Sequence, residues 1–203
     1  MGQRSKRRGR RGFVLVELLV TLAIILIVFV LFFSPGAKHY QVARQELCRR
    51  NLQFIYMALQ TYAADNRDAY PLLKGAQTSE SPLSLLVPRC TTSTEIFICP
   101  GSGHDALPPG KPFAQRRISY AYAMGLTKEA ATSQWLVSDA QVDAKPKAPG
   151  QLLFSKDGKK PGNNHRQFGG NLLFADGRTE GSAPNAEAAV TVSNGVVALN
   201  PRP

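Results

Sequence analysis

The sequence predicts an α+β fold. One long N-terminal helix, kinked near Pro35, has an inner half that crosses a membrane and an outer half that packs on a small antiparallel β-sheet. Three observations carry this expectation. Residues 13–33 are predominantly apolar and carry a single charge, Glu17. Residues 40–62 place apolar side chains every three or four positions. Beyond Tyr70 the chain breaks into short alternating runs punctuated by Gly and Pro, with Asp176-Gly177 as a turn signal. The expected divisions are a basic leader (1–12), the long helix (13–66), an exported β-rich domain (67–182) and a C-terminal hairpin or flexible tail (183–203).

The leader holds Arg4, Lys6, Arg7, Arg8, Arg10 and Arg11 and no acidic residue. The apolar run behind it, at helical rise, covers roughly 31 Å, about the thickness of a hydrocarbon core. It is too long for the apolar region of a secretory signal peptide, and residues 34–38 form no small-residue cleavage site. The positive-inside rule then keeps the leader cytoplasmic and exports the C-terminal bulk: a single-pass protein of the inner membrane. Glu17 is the anomaly in this stretch. A carboxylate at the centre of a membrane helix costs about 2.5–3.5 kcal/mol, and less near an end. It therefore calls for a cationic partner.

After Ser34-Pro35-Gly36 the pattern turns amphipathic. Tyr40, Ala43, Leu47, Asn51, Ile55, Ala58 and Tyr62 form one stripe, with Phe54 and Leu59 beside it. Pro35 predicts a kink. Asp65-Asn66-Arg67-Asp68 ends the helix before Tyr70-Pro71. Residues 81–88 predict a short helix with Pro82 in its first turn. Residues 96–99, 118–124, 135–138 and 152–155 predict short strands. Residues 101–112, with three Gly and three Pro, predict a loop. The strongest hairpin signal is residues 171–175, a two-residue Asp176-Gly177 turn, and residues 178–180. Residues 190–192 and 196–199 form a last hairpin or a mobile tail.

The formal charge is +11, but without the leader 19 basic residues face 14 acidic ones, a net +5. Most of the excess is therefore topogenic, and no specific nucleic-acid partner is expected. Cys48, Cys90 and Cys99 allow three disulfide pairings, and their spacing does not choose among them. No Cys-x-x-Cys pair is present, which argues against structural zinc.

The run Arg11-Gly12-Phe13-Val14-Leu15-Val16-Glu17-Leu18-Leu19-Val20 resembles the processing site of type IV prepilins and type II secretion pseudopilins. The resemblance implies cleavage by prepilin peptidase after Gly12, N-methylation of Phe13, and a role in methylation and assembly for Glu17. Cleavage would create the cation Glu17 needs, the α-amino group of Phe13 on the same or a neighbouring subunit. Val14 departs from the Thr frequent in relatives. Residues 47–53, 58–66 and 70–71 resemble pilin-type proteins of Planctomycetes and Verrucomicrobia, which carry a C-terminal element of His, nine residues, then Asp-Gly. Here His165 and Asp176-Gly177 match, with ten residues between them instead of nine. Extra length near Gly169-Gly170 suggests a bulge. In these relatives a Cys near Cys48 and a Cys-Pro like Cys99-Pro100 recur. The implied architecture is pilin-like.

The resulting expectation is a non-enzymatic pilin-like or pseudopilin-like subunit that assembles with copies of itself or related subunits into a pilus-like or secretion filament. The alternative is an uncleaved, signal-anchored envelope protein whose exported domain binds a ligand or carries an unrecognised activity. An enzyme would have to draw on His104-Asp105, His165, Asp176 and Ser102 or Ser119. No Gly-x-Ser-x-Gly, His-Glu-x-x-His or phosphate loop accompanies them. No cofactor is expected. Asp157, Asn163, Asn164 and Asp176 are weak calcium candidates whose spacing matches no known calcium loop.

Overall fold

The computed structural model of the chain describes residues 11–33, 36–145, 151–182 and 195–203, with the side chains of 11–14 and 31–38 outside the description. The chain divides into two units, Met1–His39 and Tyr40–Pro203. The leader up to Arg10, the expected kink at Pro35 and the strand candidate at 190–192 lie outside the described residues.

The first unit contains helix α1, Arg11–Phe33. Its described side chains, residues 15–30, are apolar all round. Every large apolar side chain among them is 45–65% exposed, and Glu17 is the one ionisable residue. Thr21 satisfies its hydroxyl by donating to Leu18 O at 2.9 Å. Among the described residues no helix is long and apolar enough to cross a membrane. The expected fold with a transmembrane inner half is therefore corrected. So are the single-pass inner-membrane placement and the membrane and secretion assignments that rested on it.

The second unit is a mixed helix–sheet assembly. Helix α2 (Gly36–Asp65), which belongs to this unit from Tyr40 onward, precedes a short helix α3 (Glu80–Leu83), two 3₁₀ turns (Ser84–Leu86, Thr94–Phe97) and a five-stranded antiparallel sheet. The strands are β1 (Tyr120–Met124), β2 (Trp135–Asp139), β3 (Gly170–Phe174), β4 (Thr179–Ser182) and β5 (Val197–Leu199), in the order β4-β3-β2-β1-β5. β1 to β4 form a meander, and β5 returns to the free edge of β1.

The buried face of α2 is Gln41, Cys48, Leu52, Ile55, Ala58, Leu59 and Ala63. This is the helical period, but the first half is rotated from the expected stripe: Tyr40 and Leu47 are exposed, at 58% and 45%. The reason is tertiary. Gln45 donates to Gly170 O at 3.3 Å and its own carbonyl accepts from Asn171 Nδ2 at 3.0 Å. A disulfide from Cys48 to Cys99, with Cα atoms 5.3 Å apart, fixes the same face. All residues of β1 and β2 are buried, so both faces of the central strands are covered. Large and small residues alternate along β1, with Tyr120 and Tyr122 among Ala121 and Ala123.

Two strand expectations fail. Residues 94–97 coil into a 3₁₀ turn, ending at extended Ile98, because Cys99 is drawn to α2 rather than to a neighbouring strand. Residues 152–155 form no named strand; they hold Val142 through Leu153 O and Gly162 through Ser155 N. The Asp176-Gly177 hairpin forms, with a three-residue loop instead of two. Phe174 N donates to Arg178 O at 2.9 Å and Gly177 N donates to Phe174 O at 3.0 Å. Only Gly177 takes a positive φ, +85°, which suits a type I turn closed by a glycine bulge. The Tyr56 ring of α2 covers that glycine, and its hydroxyl donates to Ala175 O at 3.3 Å.

Candidate functional site: a buried Cys–Cys–Asp–His cluster

Four chain segments converge under α2. Cys48 lies on the buried face of α2, and Cys99 follows the second 3₁₀ turn. Asp139 ends β2, and His165 lies in the loop before β3. All four are at most 1% exposed. Their sulfur, oxygen and nitrogen atoms lie within 4.8 Å of one another. Cys48 and Cys99 are joined as a disulfide, and His165 Nε2 stands 3.4 Å from Cys99 Sγ and 3.2 Å from Asp139 Oδ2.

Asp139 is held by donors on all sides. Asn164 Nδ2 donates to Oδ1 at 2.8 Å. The backbone N–H of Asn171 donates to Oδ2 at 2.8 Å, and its side-chain Nδ2 does so at 3.1 Å. A carboxylate cut off from water needs such partners. On the far side of the imidazole, His165 Nδ1 is buried with no hydrogen-bond partner. A Cβ on Gly101 would stand 2.7 Å from that nitrogen, so only glycine fits there. The N–H of Gly101 donates to Cys99 Sγ at 3.3 Å. Cys99-Pro100-Gly101 thus aims a backbone donor at the sulfur.

A second feature borders this cluster. A cavity of about 390 Å³ is lined by His104, Arg117, Lys160, Asn163, Asn164 and Arg202, among others. Burial pushes His104 down to about 4, helped by the nearby charges of Arg117 and Lys160. Its Nδ1 meets Ser119 Oγ at 2.9 Å, and that hydroxyl meets Ser102 Oγ at 2.9 Å. Ser102 and Ser119, the nucleophile candidates, therefore do meet His104. Ser119 is fully buried, however, and Asp105 is exposed, with no ion pair to His104 among the described residues. A hydrolytic triad needs a reachable nucleophile and a group that orients the base. Here the half-buried Ser102 reaches the His104 ring only through Ser119, and the imidazole bonds the Ile118 backbone rather than a carboxylate among the described residues.

The other sequence candidates scatter. Asp176 is exposed on the hairpin loop, accepting from Arg178 N at 2.9 Å, while His165 is buried against Asp139. The two ends of the His–Asp-Gly element thus do separate work: His165 closes the buried cluster and Asp176-Gly177 shapes the turn. Asp157 is exposed and bound to Ser155 and Lys159. Asn163 donates to Gly158 O. Asn164 donates to Asp139 and to Ser119 O. Neither Asp157 nor Asp176 joins a cluster of metal-ligating side chains among the described residues. Cys90 is free and half-buried, and burial pushes its thiol up. Gly12 and Phe13 lie in the first turns of α1. Asp139 escaped the sequence reading. Its one signal was an acidic residue closing the otherwise apolar run Trp135-Leu136-Val137.

No family model, curated protein or solved structure matches the chain. The comparisons therefore lend no support to a pilin or secretion assignment.

Proposed function

We propose that the chain is a self-assembling filament subunit, matured by a prepilin-type peptidase that cuts between Gly12 and Phe13. Copies of α1 then pack against one another. The observation that carries this reading is α1 itself: residues 15–30 expose apolar surface all round, with one carboxylate among them. Contiguous apolar surface of this kind marks an interaction site. A helix apolar on every side is stable only when surrounded. Like helices surround it best, because each supplies the same apolar face and an amine for a neighbour's Glu17. The amine exists only after cleavage, so processing licenses assembly. Glu17 finds no cation within α1 among the described residues, and pairing gains most where water is excluded.

The test is sedimentation velocity of the full chain processed to begin at Phe13. Wild type is expected to form large species at micromolar concentration. Ile25→Lys is expected to be monomeric with an unchanged melting transition of the second unit, and Glu17→Ala to assemble at least tenfold more weakly. A processed wild type that stays monomeric, or an Ile25→Lys variant that assembles normally, would overturn the proposal.

A further inference from the structure

We infer that Cys48, Cys99, Asp139 and His165 form a second state of the same site: once the disulfide is reduced, they are a tetrahedral site for a zinc-class divalent cation. The inference is independent of the assembly proposal.

The geometry leads there. A tetrahedral zinc centre with usual bond lengths has nitrogen–sulfur edges of about 3.5 Å and nitrogen–oxygen edges of about 3.4 Å. His165 Nε2 already stands 3.4 Å from Cys99 Sγ and 3.2 Å from Asp139 Oδ2. The sulfur–sulfur edge has to open from a covalent bond to about 3.8 Å, and the widest separations among the four ligand atoms, none beyond 4.8 Å, have to close to about 3.6 Å. Two thiolates, one imidazole and one carboxylate are a borderline-soft donor set suited to zinc.

The surroundings fit a metal as well. Ligating carboxylates are normally hydrogen-bonded from behind, and Asp139 accepts from Asn164 and twice from Asn171. The Gly101 N–H directed at Cys99 Sγ would stabilise a thiolate more than it does a disulfide sulfur. Asn164 also lines the cavity beside the cluster, so the residue that bonds Asp139 borders that cavity as well. The absence of a Cys-x-x-Cys pair, which argued against zinc, concerned sequence spacing. Cys48 and Cys99 are 51 positions apart and the fold brings them together.

The interconversion balances. A dithiol reductant breaks the Cys48–Cys99 bond; two electrons and two protons pass to the cysteines and the reductant closes its own disulfide. Binding of the dication then releases the two thiol protons. The bound site carries one net negative charge, which the surrounding asparagine and backbone donors offset. Whether the cluster is a staple or a metal centre thus follows the redox poise of its compartment.

The experiment is cobalt(II) titration of the full chain after reduction with a phosphine that is then removed. The expected result is one equivalent bound, with thiolate-to-cobalt charge transfer in the near ultraviolet and intense tetrahedral bands in the visible. Both are bleached by zinc, with two protons released per metal. The oxidised chain is expected to show neither band. Cys48→Ser should abolish the charge-transfer pair, and His165→Ala and Asp139→Asn should each weaken binding at least tenfold. If the reduced chain unfolds without metal, cobalt should restore both its circular dichroism and the tetrahedral spectrum. A reduced chain that binds no cobalt, or one whose spectrum His165→Ala and Asp139→Asn both leave unchanged, overturns the inference.

Discussion

At the residue scale, the second unit depends on a few buried polar groups, and the Asp139 carboxylate has a donor on each oxygen. Asp139→Ala removes the acceptor for Asn164, for two donors of Asn171 and for His165. Leaving several buried donors unpaired should destabilise the domain by about 3 kcal/mol, read as a lower urea midpoint at unchanged slope. Gly177→Ala places a Cβ at positive φ and 2.6 Å from the Tyr56 ring. A loss of about 1–3 kcal/mol is expected by the same measurement. His104 gives a pH signature. Its folded-state value, about 4, is below its ordinary 6.5, so the unfolded chain binds more protons between those values. The stability it contributes is complete above about pH 6.5 and is lost as pH falls toward 4. The fall in melting temperature between pH 7 and pH 4.5 should be smaller in His104→Gln than in wild type; equal falls would exclude this role. His165 was legible in the sequence as half of a motif, yet its partner was not. Asp139 lies 26 positions upstream on another strand, and no local pattern links an acidic strand end to a loop histidine.

At the element scale, α2 is the organiser. It presents Cys48, Leu52, Ile55 and Leu59 to the sheet, seats Tyr56 on the hairpin loop and anchors the Cys99 loop covalently. Closing a separation of 51 residues stabilises the fold by about 4 kcal/mol in the chain-entropy view. Reduction without added metal should lower stability by an amount of that order; zinc should return part of it. No such recovery in the melting curve would leave the cysteines as a staple only. β1 was readable because residues 118–124 alternate, β2 as the short run from Trp135, and the hairpin because Asp-Gly is a local signal. The rotation of the α2 stripe was hidden, since Gln45 and Cys48 owe their inward position to Gly170, Asn171 and Cys99, far along the chain. The 3₁₀ turn at Thr94–Phe97 was hidden for the same reason: apolar runs of four residues read as strands until a distant covalent tie sets their path.

At the scale of the whole molecule, the two units carry separate assignments. The second has its own core and a buried polar cluster. The first offers one helix whose apolar surface has no cover among its own described residues. The length of the apolar run suggested a membrane span, whereas among the described residues no helix is long and apolar enough to cross a membrane. What remains legible in the sequence is the junction: six basic residues, Gly12, Phe13, and a carboxylate at the fifth position counted from Phe13. The central claim is that cleavage at that junction creates the amine that lets α1 assemble. Mass spectrometry of the first peptide of the protein from native cells tests it most directly. A chain beginning at N-methylated Phe13 is the predicted result. An intact leader, in cells whose peptidase processes its other substrates, contradicts the claim and would leave α1 with no mature amino terminus to pair with Glu17.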